Sequence, residues 1–205
     1  MSETIATDEI RALVAEIDTL KRRLSEARRR AVPEVVTDLA LRVADGSTWP
    51  LEAFFGHKND LLVVHNMGRR CNYCTLWADG FAGLWHHIAD RTAFVLASED
   101  PPEVAAEFAH HRGWPFPVVS IHGTSFAKQL GVEYQPGHQE PGVSAFHRQP
   151  DGTIVRTGHS SFGPGDDFCA VWPFFDLLQG GASGWEPKFD YKPRGGCGAG
   201  CCCGH

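Results

Sequence analysis

The sequence predicts an α/β domain in which a central mixed β-sheet is flanked by helices. Strand and helix patterns alternate along residues 33–178, which is typical of a layered α/β architecture. The run at residues 92–97 is dominated by apolar side chains, as expected for a strand that is covered on both faces. Further on, Pro150, Asp151 and Gly152 separate two strand patterns and predict a hairpin with antiparallel strands.

The chain of 205 residues divides into three predicted segments. Residues 1–32 form an N-terminal helical segment, residues 33–179 form the α/β domain, and residues 180–205 form a flexible, cysteine-rich tail. The last boundary is placed where glycine becomes frequent and hydrophobic periodicity is lost. The central segment is long enough to bury a hydrophobic core.

The N-terminal segment reads as one long helix over residues 3–31, closed by Pro33. Its apolar residues recur at spacings of three and four, the pattern of a coiled-coil seam: Ile10, Leu13, Ile17, Leu20, Leu24 and Ala27. Such a narrow stripe either pairs with a second copy, giving a homodimer, or lies across its own domain. Both alternatives stay open at this point.

The elements of the α/β domain follow one another with short connections. Strands are predicted over residues 35–43, 61–66, 92–97, 116–121, 143–147 and 153–158. Helices are predicted over residues 49–55, 72–89, 102–112, 125–130 and 166–178.

Two cysteines, Cys71 and Cys74, stand where the strand at residues 61–66 passes through a glycine turn into a helix. At this spacing the two thiols lie on one face of the first helical turn. The helix N-terminus favours negative charge, and Arg69 and Arg70 are expected to add to that effect. A thiolate is the nucleophile in disulfide exchange. The pattern therefore predicts a redox dithiol, with Cys71 as the attacking thiol and Cys74 as the resolving thiol.

Two other interpretations of the motif stay open. The same spacing is half of a zinc site, although no second pair of ligands at zinc-site spacing follows in the folded part. Alternatively, the two cysteines are a buried pair that only packs.

This strand and cysteine helix resemble the thioredoxin-like proteins described as predicted dithiol–disulfide oxidoreductases. The resemblance covers about residues 33–178 and rests on three runs: CNYCTLWADGF at 71–81, RGWPFPVVS at 112–120 and PGVSAF at 141–146. It implies a thioredoxin-like fold and a redox role for Cys71 and Cys74. Unlike thioredoxins proper, this chain has Arg70 before the motif and Asn72 and Tyr73 within it, so a redox potential cannot be transferred.

Thioredoxins also place a cis-proline opposite the dithiol, and Pro141 is the candidate here because cis bonds occur chiefly before proline. Peroxiredoxins are similar as well. When this chain is aligned with the peroxidatic loop of peroxiredoxins, Met67 stands where that family has proline and Cys71 where it has threonine. Cys74 then stands at the position of the peroxidatic cysteine. A thiol peroxidase is therefore an alternative function, which both substitutions count against.

The last nine residues contain four cysteines and a terminal histidine: Cys197, Cys201, Cys202, Cys203 and His205. These side chains are suitable ligands for Zn²⁺ or Cu(I), and a metal-binding or metal-delivery protein is a further alternative. The same thiols could instead reduce a Cys71–Cys74 disulfide, or the tail could be dispensable.

Three further residues have plain structural interpretations. We expect His65 to be a hydrogen-bonded core histidine, Cys169 to be an inert core thiol, and Asp79 to lie on the helix surface.

The net charge of −6 gives no basic surface for nucleic acid, and no apolar run is long enough to span a membrane. Because the N-terminus lacks the apolar core of a signal peptide, we expect a cytoplasmic protein with reduced cysteines. The sequence thus predicts a dithiol–disulfide oxidoreductase that needs no cofactor for its redox chemistry. Its expected partner is a disulfide-containing protein or a small-molecule disulfide.

Overall fold

The computed structural model describes residues 7–191 and confirms the α/β architecture, with one mixed sheet of eight strands. The strands of this sheet are β1 (Glu34–Val35), β2 (Ala40–Arg42), β3 (Thr48–Pro50), β4 (Asp60–Asn66), β5 (Ala93–Ser98), β6 (Val118–Ser120), β9 (Gly142–Arg148) and β10 (Ile154–Ser161). Between them, β7 (Glu133–Gln135) and β8 (His138–Gln139) form a separate two-stranded hairpin. The helices are α1 (Asp8–Arg30), α2 (Asn72–Arg91), α3 (Pro102–Arg112), α4 (Phe126–Gln129) and α5 (Val171–Asp176), with a 3-10 helix over Leu51–Phe55.

The sheet has the order β1-β10-β9-β4-β5-β6-β2-β3. Its centre is parallel, because β4 pairs with β5 and β5 with β6 in the same direction. The strands β9, β10 and β1 extend it on one side, and β2 and β3 on the other, in antiparallel pairs. The carboxyl end of the central strand β4 leads directly into the cysteine motif.

Each face of the sheet carries its own hydrophobic core, because successive side chains of a strand point to opposite faces. In β4, Leu61 and Val63 belong to the core that contains Phe55 and Phe126. Val64 belongs to the opposite core, which α2 and α5 cover with aromatic side chains. The members of this second core include Trp77, Phe81, Phe94, Phe116, Phe162 and Trp172.

Helix α1 has no buried residue. Thr7 caps it, Asp8 and Glu9 lie in its first turn, and three arginines lie in its last turn, which is the charge order that a helix dipole favours. Its apolar stripe is about half exposed, with values of 47–52% for Ile10, Leu13, Ile17, Leu20 and Leu24. A salt bridge from Lys21 to Asp167 joins α1 to the domain. The stripe does not lie across its own domain, so this alternative is wrong.

Two predicted elements are shorter than expected. The predicted strand at 35–43 is two strands, β1 and β2, which join opposite sides of the sheet; Asp38 between them adopts φ of 56° and breaks the run. The predicted helix at 166–178 is the shorter α5. The Asp166 carboxylate accepts hydrogen bonds from the backbone N–H groups of Phe168 and Cys169, which forms a turn where the helix was expected to begin.

Pro141, the candidate for a cis-proline, follows a trans peptide bond, as does every residue within 7–191. The trans form is the usual one, even before proline. The sheet register nevertheless places Pro141 beside the end of β4, since the next residue, Gly142, pairs with His65.

Residues 180–191, expected to belong to a flexible tail, contain no regular element but do contact the domain. Trp185 packs edge-on against Phe175 with ring centroids 4.9 Å apart, and it also contacts Trp172. Pro187 is buried. Within residues 7–191, every helix is too short or too polar to cross a membrane.

Candidate dithiol site

The loop between β4 and α2 is fixed by hydrogen bonds to two side chains. Gly68 adopts φ of +86°, and a Cβ atom at this position would lie 2.8–2.9 Å from the carboxylate of Asp100, so glycine is required. The backbone N–H of Gly68 donates to Asn66 Oδ1 at 2.8 Å, and that of Arg69 donates to Asp100 Oδ2 at 2.6 Å. The loop is therefore anchored immediately before the first cysteine.

Cys71 is the N-cap residue of α2, and Cys74 lies in the first turn of that helix. The Cys71 Sγ accepts a hydrogen bond from the backbone N–H of Cys74 at 3.1 Å. The Cys74 Sγ accepts a hydrogen bond from the backbone N–H of Met67 at 3.5 Å. Both thiols are free, and Cys71 is partly exposed whereas Cys74 is only 3% exposed. The structure thus places the two predicted site residues side by side, with one facing solvent and one facing the core.

The two thiols differ strongly in acidity. A hydrogen bond from the Cys74 thiol, with further donation from the backbone of Cys74 and Tyr73, lowers the pKa of Cys71 to about 7. The same thiol–thiol hydrogen bond, together with burial, raises the pKa of Cys74 well above its ordinary value. Arg69 and Arg70 were expected to lower the pKa of Cys71, but both are exposed and hydrogen bonds are the main cause.

A groove with a volume of about 610 Å³ lies beside Cys71. One wall is the loop before Cys71, another is the segment after β5, and Tyr134 and His138 come from the β7–β8 hairpin. The Glu99 carboxylate in this groove accepts a hydrogen bond from the backbone N–H of Gln139 at 2.6 Å and contacts His138 Nδ1 at 3.0 Å. Its negative charge opposes ionisation of both cysteines, which offsets a small part of the lowering of the Cys71 pKa and adds slightly to the raised pKa of Cys74.

His65 is a hydrogen-bonded core histidine, as expected. Its Nδ1 lies 3.2 Å from Gln139 Oε1 and its Nε2 lies 2.8 Å from Ser144 Oγ. Burial lowers its pKa to about 3, so the ring is neutral near pH 7. The Gln139 side chain continues this network by donating to the backbone carbonyls of Asn66 and Ala97. His65 therefore supports the end of β4 and does not reach the solvent side of the dithiol.

The helix that carries the cysteines is held by an aromatic contact and an ion pair. Trp77 is 3% exposed and packs on Phe162 with ring centroids 5.3 Å apart. Asp79 was expected to lie on the helix surface, and its side chain is 37% exposed. Its carboxylate accepts hydrogen bonds from the guanidinium of Arg112, the last residue of α3, and, at 2.8 Å, from Trp114 Nε1 in the loop that follows. The sequence contained no sign of these partners, because they are distant from Asp79 along the chain.

The segment at residues 185–189 lies against the same helix. Asn72, which stands between the two cysteines, donates from Nδ2 to the Pro187 carbonyl at 2.6 Å. Arg112 donates from Nη1 to the Phe189 carbonyl at 2.7 Å. The chain that leads to the cysteine-rich tail is therefore anchored next to Cys71. The sequence offered no periodic signal for this contact, which two single side-chain hydrogen bonds create.

The remaining predicted ligands and thiols fall into two groups. Cys197, Cys201, Cys202, Cys203 and His205 lie outside the described residues. Among residues 7–191, no group of three or more His, Cys, Asp or Glu side chains is arranged to hold a metal ion. A zinc site at Cys71 and Cys74 thus finds no third ligand there. Cys169 is buried, which raises its pKa and agrees with an inert core thiol.

The hairpin β7–β8 and the groove residue Glu99 were missed at the sequence level. The hairpin strands are only two and three residues long and mostly polar, so neither alternation nor an apolar run marks them. The Pro136-Gly137 pair between them is a turn signal that could have indicated the hairpin.

The architecture is shared by solved structures with a thioredoxin-like fold. The chain is similar to the crystal structure of the peroxidoxin BcpB from Mycobacterium tuberculosis, with a TM-score of 0.51 and 23% identity over 63% of this chain and 84% of that one. It is also similar to reduced Prx3 from Vibrio vulnificus in complex with H2O2, with a TM-score of 0.53 and 15% identity over 66% of this chain and 90% of that one. A third similar structure is that of a peroxiredoxin-like protein from Aquifex aeolicus. Its TM-score is 0.51, and its sequence identity is 13% over 63% of this chain and 75% of that one. At these identities the likeness shows the fold.

The fold and the dithiol helix thus define a thioredoxin-like α/β protein. Residues 4–190 match the family described as bacterial protein of unknown function (DUF899), and the chain belongs to this family. No curated protein matches the sequence.

Proposed function

We propose that this protein is a dithiol–disulfide oxidoreductase. The observation that carries the proposal is the difference between its two thiols. Cys71 is partly exposed and its pKa is lowered to about 7, whereas Cys74 is buried and its pKa is raised. An accessible thiolate beside a protected thiol is the arrangement that disulfide exchange through a mixed disulfide requires.

In the first step, the Cys71 thiolate attacks one sulfur of a substrate disulfide. The new bond joins Cys71 Sγ to the substrate, and the second substrate sulfur leaves as a thiolate that takes up a proton. This step also removes the negative charge and the hydrogen-bond acceptor from Cys71. Both are causes of the raised pKa of Cys74, so that pKa falls once the mixed disulfide has formed.

In the second step, Cys74 loses its proton and attacks Cys71 Sγ. A Cys71–Cys74 disulfide forms, and the remaining substrate sulfur leaves as a second thiol. Two electrons have then passed from the protein to the substrate, and the cycle uses no cofactor. The groove beside Cys71 provides the site for a disulfide-containing protein or small molecule.

The thiol-peroxidase alternative assigns the attack on peroxide to Cys74. A buried thiol with a raised pKa is poorly suited to that step, because peroxide reacts with an accessible thiolate. Treatment with H2O2 followed by trapping of sulfenic acid separates the two functions. The oxidoreductase is expected to give no sulfenic acid on Cys74, and rapid formation of that species would support the peroxidase.

Trapping the mixed disulfide tests the proposal. In a variant with serine at positions 197, 201, 202 and 203, called the tail-serine variant, we replace either Cys74→Ser or Cys71→Ser and add oxidised glutathione. We expect a glutathione adduct on Cys71 in the first protein and none on Cys74 in the second. Cys169 is the internal control for a buried thiol. Modification of Cys74 in preference to Cys71 would contradict the assigned roles.

A further inference from the structure

Two arginines beside the dithiol differ from the other arginines of the α/β domain. Residues 33–178 contain seven arginines, and five of their guanidinium groups bond to a carboxylate or to a backbone carbonyl: Arg42, Arg91, Arg112, Arg148 and Arg156. The guanidinium groups of Arg69 and Arg70 have neither an ion pair nor a hydrogen bond within residues 7–191. Both side chains are exposed, and both border the groove beside Cys71. Their positive charges are therefore available to a ligand.

The two carboxylates in the wall of this groove are already bonded to the protein. The Glu99 side chain is 11% exposed and accepts a hydrogen bond from the backbone N–H of Gln139. Asp100 Oδ2 accepts hydrogen bonds from the backbone N–H of Arg69 and, at 3.3 Å, from Ser98 Oγ. Because these acidic groups are held in the wall, the arginines are the charged groups that face a ligand.

The groove also has the size and the apolar surface of a small-molecule site. Its volume of about 610 Å³ lies within the range of roughly 300–1,000 Å³ that is typical of ligand pockets. Met67, Pro101 and Val104 supply apolar side chains to its lining. A short apolar chain can pack against them while an anionic group on that chain contacts the arginines.

We infer that the disulfide reduced at Cys71 is a low-molecular-weight disulfide that carries carboxylate groups. This inference rests on the proposed function, since it names the substrate class of the same site. A guanidinium binds a carboxylate through two parallel hydrogen bonds, which orients the bound group. Arg69 and Arg70 are thus assigned the binding of the substrate carboxylate.

The position of the arginines suits a substrate of this kind. Arg70 directly precedes Cys71, and consecutive Cα atoms lie about 3.8 Å apart. A carboxylate a few bonds away from the disulfide can therefore contact a guanidinium while a substrate sulfur lies at Cys71. The exchange itself is unchanged: Cys71 Sγ bonds to one substrate sulfur, and the other sulfur leaves and takes up a proton.

The test compares three disulfides of the same length and different charge. Bis(2-carboxyethyl) disulfide is anionic, bis(2-hydroxyethyl) disulfide is neutral, and cystamine is cationic. In the full-length tail-serine variant with Cys74→Ser, mass spectrometry measures the rate at which each forms an adduct on Cys71. Each rate is divided by the rate of the same disulfide with dithiothreitol, which corrects for the intrinsic reactivity of the disulfide.

The anionic disulfide should react about three- to tenfold faster than the neutral one, and cystamine should react more slowly than both. The difference should decrease at high salt, because salt screens exposed charges. The chain as a whole carries a net charge of −6, which repels anions, so a preference for the anionic disulfide requires local positive charge. Equal normalised rates for the anionic and neutral disulfides would overturn the inference.

A double variant assigns the preference to the arginines. With Arg69→Gln and Arg70→Gln, the ratio of the anionic to the neutral rate should fall close to one. A change in the acidity of Cys71 affects both rates equally, so the ratio reports binding of the carboxylate. The matched control is Arg28→Gln with Arg29→Gln, which removes two exposed charges from α1 and should leave the ratio unchanged.

An anion preference that survives the loss of Arg69 and Arg70 would also overturn the inference. The proposed function is tested separately by the neutral disulfide. If Cys71 reacts with the neutral disulfide but shows no anion preference, the inference is wrong and the proposed function stands. If none of the three disulfides modifies Cys71, the proposed function fails and the inference fails with it.

Discussion

The helices α1 and α2 have similar lengths, 23 and 20 residues, but their relation to the rest of the molecule is opposite. No residue of α1 is buried, and its helical form rests on a Thr7 cap and on favourable charges at both ends. Helix α2 buries five residues, including Cys74, Trp77 and Phe81.

This difference separates what local sequence determines from what packing determines. Local signals are sufficient to form a helix, as α1 shows. The positioning of two thiols with opposite acidity requires α2 to be fixed against the sheet, so that Cys74 is buried while Cys71 stays at the groove. Substitutions on the two helices should therefore have very different consequences.

The largest effect is expected for Cys71→Ser, which should reduce disulfide-exchange activity to the uncatalysed background because the attacking thiolate is lost. The matched change on α1 is Leu13→Ser, which replaces a half-exposed apolar residue on a helix that has no buried residue. This variant should retain full activity. Reduction of a model protein disulfide, followed by turbidity or fluorescence, measures both. Substantial activity in Cys71→Ser would contradict the assignment.

The next effect is on stability. Trp77→Ala should lower the free energy of unfolding by about 3–5 kcal/mol, because a buried aromatic ring is removed and a cavity remains. Leu20→Ala on α1 should change it by less than about 0.5 kcal/mol in the monomer, since that side chain is half exposed. Denaturant unfolding followed by circular dichroism measures both values. If both variants lost the same free energy of unfolding, α1 would have to be packed as tightly as α2, which would contradict the difference described above.

The third prediction concerns the acidity of Cys71. The thiolate is the reactive form, and the pKa of Cys71 is about 7, so its alkylation rate should rise about tenfold from pH 6 to pH 8. In Cys74→Ala the main stabilising hydrogen bond is lost, and the pKa of Cys71 should rise toward the ordinary value of about 8.5. Peptide-resolved alkylation across the pH range measures this shift. An unchanged profile in Cys74→Ala would show that another group sets the acidity.

The smallest effect on the domain is expected from changes to the exposed stripe of α1. Because its spacing fits a coiled-coil seam and its own domain leaves it uncovered, we expect it to pair with a second copy. Replacing Ile17 and Leu20 with glutamate should give a monomer by sedimentation, without a change in exchange activity. A wild-type protein that is monomeric at high concentration would contradict the pairing.

The sequence was sufficient to predict the fold class and the neighbouring placement of Cys71 and Cys74 at the start of a helix. The order of apolar runs and the strand-to-helix turn at Cys71 are local signals, and the parallel pairing of β4 with β5 follows from them. The groove was not predictable in this way. Glu99, His138 and the Pro187 segment reach the site through single contacts between residues distant in sequence, and such contacts leave no periodic pattern.

The hydrogen-bond partners of Asp79 were also outside the reach of local reasoning. They depend on the surroundings of the residue in the folded domain. Asp79 has the spacing of a surface residue on α2, and only the approach of Arg112 and Trp114 converts it into an anchor.

A glutathione redox titration of the tail-serine variant decides whether Cys71 and Cys74 form a redox pair. Alkylation and peptide mass spectrometry at each ratio of reduced to oxidised glutathione report the state of every remaining cysteine. We expect one reversible two-electron transition that joins Cys71 to Cys74, with Cys169 reduced throughout. If Cys71 and Cys74 never form a disulfide at any ratio, the two thiols are not a redox pair and the proposed function is wrong.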